Sequence, residues 1–421
     1  MTPPDSTAAR RILLVDCDVF FVQVARQEDP DGAGRAPLLV VGGSPSGRGV
    51  VTSADYPVRE FGVRSGMPMA RALELCPRAT VVPVPREACR RRSRQVRAVL
   101  REMAPVVQAA SIDEFYLDMT GTQRLYRGES LEDTAHRIRR RVLDRTGTSV
   151  SVGGGTVRLV AKLAVERGKP GGVHVVPPGR EAAFLREHAL ARIPGIGPSL
   201  LDQLEAKGIR TVDELLPVDQ EWLRRWFGPT RGRWLWERVR GIDPSTVEAE
   251  PERKSISSER TFPTDIEADR TLRRHLQRLS MEVGRVLREK GMRARTVTVK
   301  LRDSDFTTRQ SSRTLPEPLQ SDQAIYRTAD DLLGDLRDRR RAPARLLGVG
   351  VSSLEDGPGA RQLSLLDEAG GPETDRDRTL SRTTDELRRR FGPDAVLPAR
   401  IMEPGGDDDD QDRTSEPEDT P

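Results

Sequence analysis

Hydrophobic and polar positions follow strand-like and helix-like patterns over the first part of the chain. The apolar run at 11–15 predicts a buried strand that leads directly into Asp16. Residues 86–104 have apolar positions at helical spacing on a basic background, and this pattern predicts an amphipathic helix. This order of strands and helices predicts an α/β layer. The further predicted elements are two strand-like runs within 106–119, a helix around 129–145 and a strand at 148–153.

The pattern changes after residue 180 and again after residue 254. Short helical patterns at 180–242 surround a Pro-Gly-Ile-Gly turn. This stretch holds all four tryptophans, which we expect to form the core of a small helical lobe. The polar residues 243–254 are typical of a linker. Residues 255–354 then predict strands and helices in βαββαβ order, and a further short helix is predicted near 378–391.

The composition is typical of a protein with several lobes and a large polar surface. Of the 421 residues, 36% are apolar and 32% are charged. No apolar run approaches the roughly 18 residues of a membrane-spanning helix, and the first residues lack the apolar core of a signal peptide. We therefore expect a cytoplasmic protein without a membrane partner. The three cysteines form no CxxC pair and the four histidines are scattered, which predicts a reduced compartment and no structural zinc.

Charge is distributed unevenly along the chain. Residues 403–421 contain nine acids and one base, a net charge of −8, so the preceding 402 residues carry +12 while the whole chain carries +4. A basic body favours a polyanionic partner, most simply nucleic acid. Because 63 of the 69 basic residues are arginine, biased codon usage is an alternative source of this charge. The acidic segment has too few apolar residues to fold alone, and we interpret it as a disordered, solubilising tail.

Three acidic residues lie at the ends of predicted strands. Asp16 ends the first buried strand, and Asp113 and Glu114 separate two others. Such acids can converge at one edge of a sheet and hold two divalent cations about 3.5–4 Å apart, an arrangement that supports phosphoryl transfer. Carboxylate oxygens suit Mg²⁺, with Mn²⁺ as a substitute. On spacing alone, acids in solvated turns at strand ends are the more frequent explanation, and both interpretations stay open.

The residues around these acids resemble the motifs of a known enzyme family. ILLVDCDVFFVQV at 12–24 and SIDEFYLD at 111–118 are similar to the two metal motifs of the Y-family translesion DNA polymerases. ADYPVREFGVRSGMP at 54–68 resembles the nucleotide-facing segment of that family, and AKLAVERGKPGGV at 161–173 resembles its next basic motif. IPGIG and GIRTVDELL resemble its thumb. The matches run in order over residues 11–354 and are closest to the DinB-like branch.

The resemblance implies a multidomain α/β fold, a right-hand polymerase with a palm, small fingers, a helix-hairpin-helix thumb and a βαββαβ little finger. The implied domain limits are 10–19 and 85–178 for the palm, 20–84 for the fingers, 179–243 for the thumb, 244–254 for a linker, 255–355 for the little finger, 361–367 for a clamp-binding peptide, 368–402 for an extension of unknown role and 403–421 for the acidic tail.

The resemblance also implies roles at the site. The metal-binding carboxylates would be Asp16, Asp113 and Glu114, with the backbone carbonyl of Cys17 as a further ligand and Glu114 helping to orient the attack. Phe21 matches the steric gate, an aromatic side chain that leaves no room for a 2′-hydroxyl, and Phe20 is expected beside the sugar and triphosphate. Asp18 matches the second acid of the DxD motif of the family and is assigned no metal, because a structural role fits it equally well, and Asp118 is expected to be structural. The expected triphosphate contacts are Ser53, Tyr56, Arg59 and Lys169.

Residues further along the chain are expected to hold DNA and a protein partner. Gly195 and Gly197 belong to the hairpin of the helix-hairpin-helix, where backbone amides can bond a phosphate. The little finger would follow phosphates with a basic strand face, on or beside which lie Arg293, Arg295, Lys300, Arg302, Arg309 and Arg313. The segment at 362–366 resembles a sliding-clamp-binding peptide, with the contacts Gln362, Leu363, Leu365 and Leu366.

Three positions depart from the family pattern, and none of them removes a metal ligand. Asp55 stands where the DinB-like branch usually has Asn, which would place a negative charge near an anionic substrate. Phe115 replaces a residue that is usually small, and the glycine run 153–155 replaces a more varied segment. These departures leave the efficiency of the reaction and the choice of lesion open.

Together these observations predict a low-fidelity polymerase that adds deoxynucleotides to a primer 3′-hydroxyl opposite damaged template by a two-metal mechanism. Too little chain remains beside the recognised segments for a proofreading exonuclease domain. The expected partners are primer-template DNA, dNTP and a sliding clamp, and we expect a monomer that associates with the nucleoid when on DNA. Two alternatives remain, a non-catalytic relative that serves as a clamp-and-DNA adaptor, and a plain helix-hairpin-helix DNA-binding protein that leaves the carboxylate motifs unexplained. The UmuC-like branch of the family is not excluded.

Overall fold

A computed structural model describes residues 9–126, 128–249, 252–357, 373–392 and 395–402. The chain divides into two units, Met1–Pro251 and Glu252–Pro421. The predicted clamp-binding peptide at 362–366 and the acidic tail at 403–421 lie outside the described residues. Within those described ranges, no helix combines the length and the apolar composition needed to cross a bilayer.

The first unit contains eight strands and eleven α-helices among its described residues. The strands are β1 Ile12–Cys17, β2 Leu39–Gly42, β3 Val51–Ala54, β4 Thr80–Val82, β5 Val106–Ala109, β6 Glu114–Asp118, β7 Val150–Gly155 and β8 Val173–Val175. The helices are α1 Phe20–Glu28, α2 Tyr56–Glu60, α3 Met69–Leu75, α4 Arg86–Arg101, α5 Leu131–Thr146, α6 Arg158–Gly168, α7 Glu181–Arg186, α8 Pro198–Glu205, α9 Val212–Leu215, α10 Gln220–Phe227 and α11 Pro229–Val239.

The larger sheet of this unit is built around β1, which is buried along its whole length. The strand order is β5-β6-β1-β7-β8, with β1 antiparallel to both β6 and β7. Because side chains alternate along a strand, Leu13 and Val15 pack with residues of α4 and α5 on one face. Ile12 and Leu14 pack with α6 on the other face. The predicted α/β layer is therefore a sheet with helices on both faces.

The glycine run in β7 allows α6 to lie close to the sheet. A Cβ atom added at Gly153 would lie 2.2 Å from the carbonyl oxygen of Ala161 and 2.2 Å from the amide nitrogen of Val165, both in α6. Any larger residue at this position would push the helix away. The departure of this segment from the family pattern thus has a packing reason, and it sets the position of every side chain on α6.

A second, three-stranded sheet has the order β3-β2-β4, with β2 antiparallel to β3 and parallel to β4. Residues of β2 and β3 form a separate apolar cluster with α2 and α3, including Val40, Val51, Val58 and Met69. This small layer carries the Ser53–Arg59 segment that the sequence predicts to face a nucleotide.

The helical lobe formed by α7 to α11 has an aliphatic core, and the prediction of a tryptophan core is wrong. Leu185, Leu204, Leu215, Leu223 and Leu235 are fully buried. In contrast, Trp222 is 52% exposed, and the other three tryptophans pack only at the edge of the core. A cation covers the face of each indole ring and keeps it at the surface; the pairs are Arg225 with Trp222, Lys207 with Trp226, Arg238 with Trp234 and Arg240 with Trp236.

The segment predicted as a linker begins as a packed part of the first unit. The carboxylate of Asp243 accepts a hydrogen bond from the amide of Leu159 at the start of α6 (3.0 Å). Val247 is buried beside Ile12 and Leu14. Residues 244–249 therefore continue along the sheet, and only the part from 252 onward is described with the second unit.

The second unit has the predicted βαββαβ order and continues into two further helices. Its elements are β9 Ser255–Ile266, α12 Asp269–Glu289, β10 Met292–Asp303, β11 Thr308–Leu319, α13 Asp322–Arg339, β12 Ala344–Asp356, α14 Asp375–Phe391 and α15 Ala399–Met402. The strand order is β11-β10-β12-β9. Val297, Val299 and Leu301 face the core with α12 and α13. The alternate residues of β10 form the other, open face of the sheet.

The extension of unknown role packs against the helical side of this second unit. Glu373, whose side chain is 1% exposed, accepts the amides of Gln320 (2.9 Å) and Ser321 (2.5 Å) just before α13. Arg288 of α12 is also buried, and it pairs with Asp385 of α14 (2.6 Å) and with Asp322 (2.8 Å). Buried charges and amides therefore bind α14 to the βαββαβ unit.

We predict that Glu373→Ala destabilises the start of α13. The substitution leaves two amides without their acceptor, and Arg378, which pairs with Glu373 at 2.6 Å, keeps only its contact with Asp375. Each unsatisfied buried group costs about 1–3 kcal/mol. Hydrogen exchange measured on peptides spanning 317–326 should become faster. Asp375→Ala is the matched control, because Asp375 contacts the same arginine (3.1 Å) but is 85% exposed. Equal exchange in both variants would contradict this account of the extension.

Candidate active site

The register of β1 and β6 brings the three predicted acids to one end of the sheet. Asp16 is the direct cross-strand partner of Glu114. The amide of Cys17 donates to the carbonyl of Asp113 (3.0 Å), which extends the same pairing by one residue. The amide of Asp113 in turn donates to the hydroxyl of Ser111 (3.3 Å) and not to the carbonyl of Cys17. Residues almost a hundred positions apart in the chain are thus neighbours.

Burial makes this group of acids costly in the ionised state. The side chain of Asp16 is 5% exposed, and burial raises its pKa to about 7, although Lys169 acts in the opposite direction. Burial also raises the pKa of Asp113, and the neighbouring charge of Glu114 raises it further. The ionised cluster therefore needs positive charge close by.

Two lysines of the α6 region supply positive charge. The Nζ atom of Lys169 lies 2.9 Å from Asp16 and 2.8 Å from Glu166. Burial acts to lower the pKa of Lys169, but Asp16 and Glu166 raise it above its usual value. Lys162 forms an ion pair with Glu114. Sequence reasoning assigned Lys169 and missed Lys162, although the seven-residue spacing between them, two helical turns, was a usable signal.

The donor set matches a divalent cation in its chemistry. The acids and the carbonyl of Cys17 offer hard oxygen ligands from adjacent positions, as Mg²⁺ prefers. Among the described residues, however, no three histidine, cysteine or acidic side chains already stand in the arrangement of a metal centre. Lysine ammonium groups hold two of the acids, Asp16 and Glu114. Both lysines are partly exposed, so their side chains have room to move from a carboxylate to a bound anion.

The two phenylalanines that follow the acids have different environments. Phe20 is 1% exposed and packs in the core with Val15 and Val24. Its ring therefore faces the core, which leaves its backbone as the part that would lie beside a sugar or a triphosphate. Phe21 is half-buried, and its ring meets the edge of Phe20 at a centroid distance of 5.5 Å. The ring of Phe20 supports the ring of Phe21, and of these two rings only that of Phe21 is open to a ligand.

The predicted triphosphate contacts lie on β3 and α2. Ser53 is buried on β3, and Tyr56 and Arg59 are half-buried on α2. The guanidinium of Arg59 lies over the Tyr56 ring at 5.3 Å and donates through Nε to the carbonyl of Ala54 (2.9 Å). Burial raises the pKa of Tyr56 to about 12, and the nearby charge of Asp18 adds to this effect. Tyr56 therefore stays a neutral hydrogen-bond donor at physiological pH.

Asp55 has a charged partner that the sequence pattern does not show. Its carboxylate accepts the amide of Tyr56 (2.8 Å) at the start of α2. The same carboxylate pairs with Arg26 of α1 (2.5 Å). The expected negative charge near the substrate is therefore compensated. Phe115, the second departure, is fully buried in the sheet core and faces away from the acids.

The predicted hairpin glycines stand at the start of α8. Gly195 has a φ of 96°, in the left-handed region that favours glycine, and a Cβ atom there would lie 2.5 Å from the ring of Trp234. Gly197 is the N-cap of α8, and Pro198 follows at the first helical position. The glycine at 195 is thus required by the close packing of Trp234, whereas a Cβ atom at Gly197 would have nothing within 4 Å.

The basic residues of the second unit divide between its two sides. Lys300 pairs with Glu259 (2.8 Å) and Arg302 donates to Thr308 (2.8 Å) on the open face of the sheet. At the other end of β10, Glu355 pairs with Arg295 and, at 3.9 Å, with Arg293. Two arginines belong instead to the helical side, contrary to expectation, because Arg309 pairs with the buried Asp303 (2.8 Å) and Arg313 with Asp331 of α13 (2.8 Å).

Models of known protein families match three segments of the chain. The impB/mucB/samB family matches residues 15–166. The C-terminal domain of the same family matches residues 253–365. The thumb domain of DNA polymerase-iota matches residues 191–243, which include α8 to α11.

Curated relatives are similar over nearly the whole chain. DNA polymerase IV of Dehalococcoides mccartyi (strain ATCC BAA-2266) is 36% identical over 93% of this chain and 98% of the relative. DNA polymerase IV of Brucella melitensis biotype 1 is 37% identical over 91% of this chain and 83% of the relative. DNA polymerase IV of Halorhodospira halophila is 38% identical over 85% of this chain and 98% of the relative.

Solved structures agree with the sequence relatives. A Y-family DNA polymerase chimera of Dbh and Dpo4 has a TM-score of 0.74 at 26% identity, covering 82% of this chain and 100% of that chain. The insertion ternary complex of Dbh DNA polymerase has a TM-score of 0.56 at 26% identity, with the same coverage. DinB from Sulfolobus solfataricus has a TM-score of 0.55 at 26% identity, covering 81% of this chain and 98% of that chain.

Proposed function

We propose, because this chain belongs to the impB/mucB/samB family of Y-family DNA polymerases, that its chemistry takes place at Asp16, Asp113 and Glu114. The chain is a DNA-directed DNA polymerase of translesion synthesis. The reaction that we propose is the template-directed, low-fidelity addition of deoxynucleotides to a primer 3′-hydroxyl opposite damaged template, without proofreading. The observation that carries it is the pairing of Asp16 with Glu114 across β1 and β6, next to Asp113.

We propose a two-metal mechanism with Mg²⁺, for which Mn²⁺ can substitute. When bound, the two ions lower the pKa of the primer 3′-hydroxyl and stabilise the leaving pyrophosphate. Asp16, Asp113 and the Cys17 carbonyl would hold the ion that binds the triphosphate, and Glu114 with the same aspartates would hold the ion at the primer and help to orient the attack. These residues fit the task because oxygen donors from adjacent strands share one strand end.

The lysines and the α2 segment would bind the triphosphate. Lys169 and Lys162 neutralise the acids in the absence of substrate. Both can transfer their hydrogen bonds to phosphate oxygens when the acids are otherwise compensated. Arg59 and the neutral Tyr56 add donors from the opposite layer, and Ser53 adds a hydroxyl. Phe21 lies under the sugar and selects deoxynucleotides.

DNA and the sliding clamp are the proposed macromolecular partners. The hairpin at Gly195–Gly197 and the open face bearing Lys300 and Arg302 would contact phosphates without reading sequence. The clamp would bind the segment 362–366. The nearest described residues before and after that segment are held within the second unit, because the amide of Gly357 donates to the carbonyl of Gly291 (3.0 Å) and Glu373 accepts the amides before α13. We propose a cytoplasmic monomer that associates with the nucleoid on DNA.

Asp113→Asn should reduce the rate of primer extension by at least about 100-fold. The reason is that one ligand of each metal ion loses its charge, and metal binding stabilises the transition state by several kcal/mol. The measurement is single-nucleotide extension with and without Mg²⁺ on damaged and undamaged templates. Asp118→Asn is the matched control, since Asp118 lies at the opposite end of β6 beside Ile12. Equal, metal-independent activity of wild type and Asp113→Asn would refute the mechanism, and inactivity of the wild type would favour the adaptor alternative.

Phe21→Ala should raise ribonucleotide incorporation about 10- to 100-fold relative to deoxynucleotide incorporation, because the clash with a 2′-hydroxyl, about 1–3 kcal/mol of overpacking, is removed. Competing rNTP and dNTP incorporation measures the ratio. The control is Val96→Ala, which alters a buried residue of α4 in the same apolar cluster and should lower thermal stability without changing sugar selection. If discrimination is unchanged in Phe21→Ala, the gate lies elsewhere.

Alanine at Gln362, Leu363, Leu365 and Leu366 should abolish stimulation by the sliding clamp and leave basal extension unchanged. The apolar side chains are expected to supply the affinity for a groove on the clamp, and substitution keeps the length between the anchored ends. The measurement compares extension with and without loaded clamp. Ser364→Ala with Glu368→Ala serves as control. Stimulation that survives the fourfold substitution would relocate the clamp contact.

A further inference from the structure

One buried acid beside the candidate active site has no part in the proposed reaction. Asp18 is 3% exposed. Its Oδ2 atom accepts the hydroxyl of Ser149 (2.7 Å) and the amide of Gly171 (3.0 Å). Its Oδ1 atom accepts the hydroxyls of Ser151 (2.6 Å) and Tyr56 (3.4 Å). Four donors from three separate parts of the chain therefore converge on one carboxylate.

We propose that Asp18 is a positioning residue for the nucleotide triphosphate. It holds the loop that follows Lys169 in place relative to Asp16, and it makes a weaker, releasable contact with Tyr56. The inference rests on the proposed function, because it assigns the control of dNTP affinity to a residue that does not itself touch the dNTP. The sequence places Asp18 in the DxD motif and assigns it no role toward a nucleotide.

The first step concerns the loop after α6. Asp16 lies in β1, and Asp18 follows in the turn directly after Cys17, where this strand ends. Asp16 contacts the ammonium group of Lys169 (2.9 Å), and Asp18 contacts the backbone of Gly171, two residues beyond that lysine. The amide of Gly171 also donates to Ser151 (2.9 Å). The ammonium group of Lys169 and the backbone behind it are thus held by two acids, Asp16 at the end of β1 and Asp18 in the turn that follows.

The second step concerns the opposite layer. The hydroxyl of Tyr56 reaches Asp18 over 3.4 Å, which is the longest of the four contacts. A bond of this length is weak, so the hydroxyl can turn to a phosphate oxygen while the other three contacts persist. At its start, α2 is held by Asp55, which pairs with Arg26 of α1. Asp18 therefore links the Lys169 loop and the Tyr56 helix while it remains free to release Tyr56.

The third step is the choice of side chain. An ionised carboxylate only accepts hydrogen bonds and can receive about four of them, which equals the number of donors present. An asparagine brings an NH₂ group that must face one pair of donors. The amide of Gly171 cannot act as an acceptor, so the NH₂ group would be directed to Ser151 and Tyr56, whose hydroxyls can rotate. Asparagine should therefore preserve part of the function, and alanine none of it.

The test is dNTP binding and turnover by the full-length protein on primer-template DNA. Asp18→Ala should raise the apparent KM for dNTP about 10-fold, a difference of about 1.4 kcal/mol, while kcat changes less than about threefold. Asp18→Asn should fall between Asp18→Ala and wild type. A dideoxy-terminated primer cannot react, so the dNTP Kd measured on it by fluorescence should rise in parallel. Affinity for the primer-template alone should stay constant.

The controls separate this role from a purely structural one. Asp118→Ala removes a carboxylate from the other end of the same sheet, where it accepts the amide of Thr120 (2.9 Å), and should leave KM and Kd unchanged. Ser149→Ala removes only one contact of Asp18, so it serves as the test variant if Asp18→Ala does not fold. It should raise the KM for dNTP by a smaller factor. Lower thermal stability with an unchanged dNTP Kd in Asp18→Asn and Ser149→Ala would overturn the inference. Absence of extension by the wild type would instead refute the proposed function.

Discussion

The pairing register of β1 with β6 is the constraint on which the candidate active site depends. Asp16 meets Glu114 only in this register, and a slip by one residue would turn the acids to the opposite face of the sheet. The register is fixed because β1 is buried on both faces, with Leu13 and Val15 in one apolar cluster and Ile12 and Leu14 in another. Core packing thus determines where the polar chemistry is placed, and the cost of moving the acids is the cost of disrupting two apolar layers.

The same register creates an electrostatic problem that α6 resolves. A buried Asp16 next to Glu114 and Asp113 is unfavourable when ionised, as the raised pKa of Asp16 indicates. Lys162 and Lys169 can reach the acids because Gly153 lets α6 approach the sheet more closely than any side chain would permit. Ion pairs of this kind contribute little to stability when partly solvated, and that weakness suits a site in which the lysines must exchange a carboxylate for a phosphate.

Periodicity and motif spacing predicted most elements of the fold, because long buried strands and amphipathic helices are local patterns. These patterns do not predict whether a particular side chain lies at the surface or in the core. Trp222 was expected inside and is half exposed, since an indole ring covered by arginine is stable at a surface. The motif that contains Phe20 likewise does not indicate that its ring lies in the core. The ion pair of Lys162 with Glu114 joins residues far apart in sequence, so no local pattern indicates it. The same holds for the pair of Arg288 with Asp385, which helps to pack residues 373–402.

The pair formed by Arg26 and Asp55 shows why a departure from a family pattern has to be judged with its neighbours. Taken alone, an aspartate before Tyr56 would repel a triphosphate. Arg26 lies five residues after Phe21 on α1, and its guanidinium also donates to the carbonyls of Gly34 (3.1 Å) and Ala36 (2.9 Å). The aspartate is therefore compensated by a cation that is itself fixed in place, and it still caps α2. Its charge couples the helix of the proposed steric gate to the helix of the proposed triphosphate contacts, so the unusual residue stabilises the geometry that it was expected to disturb.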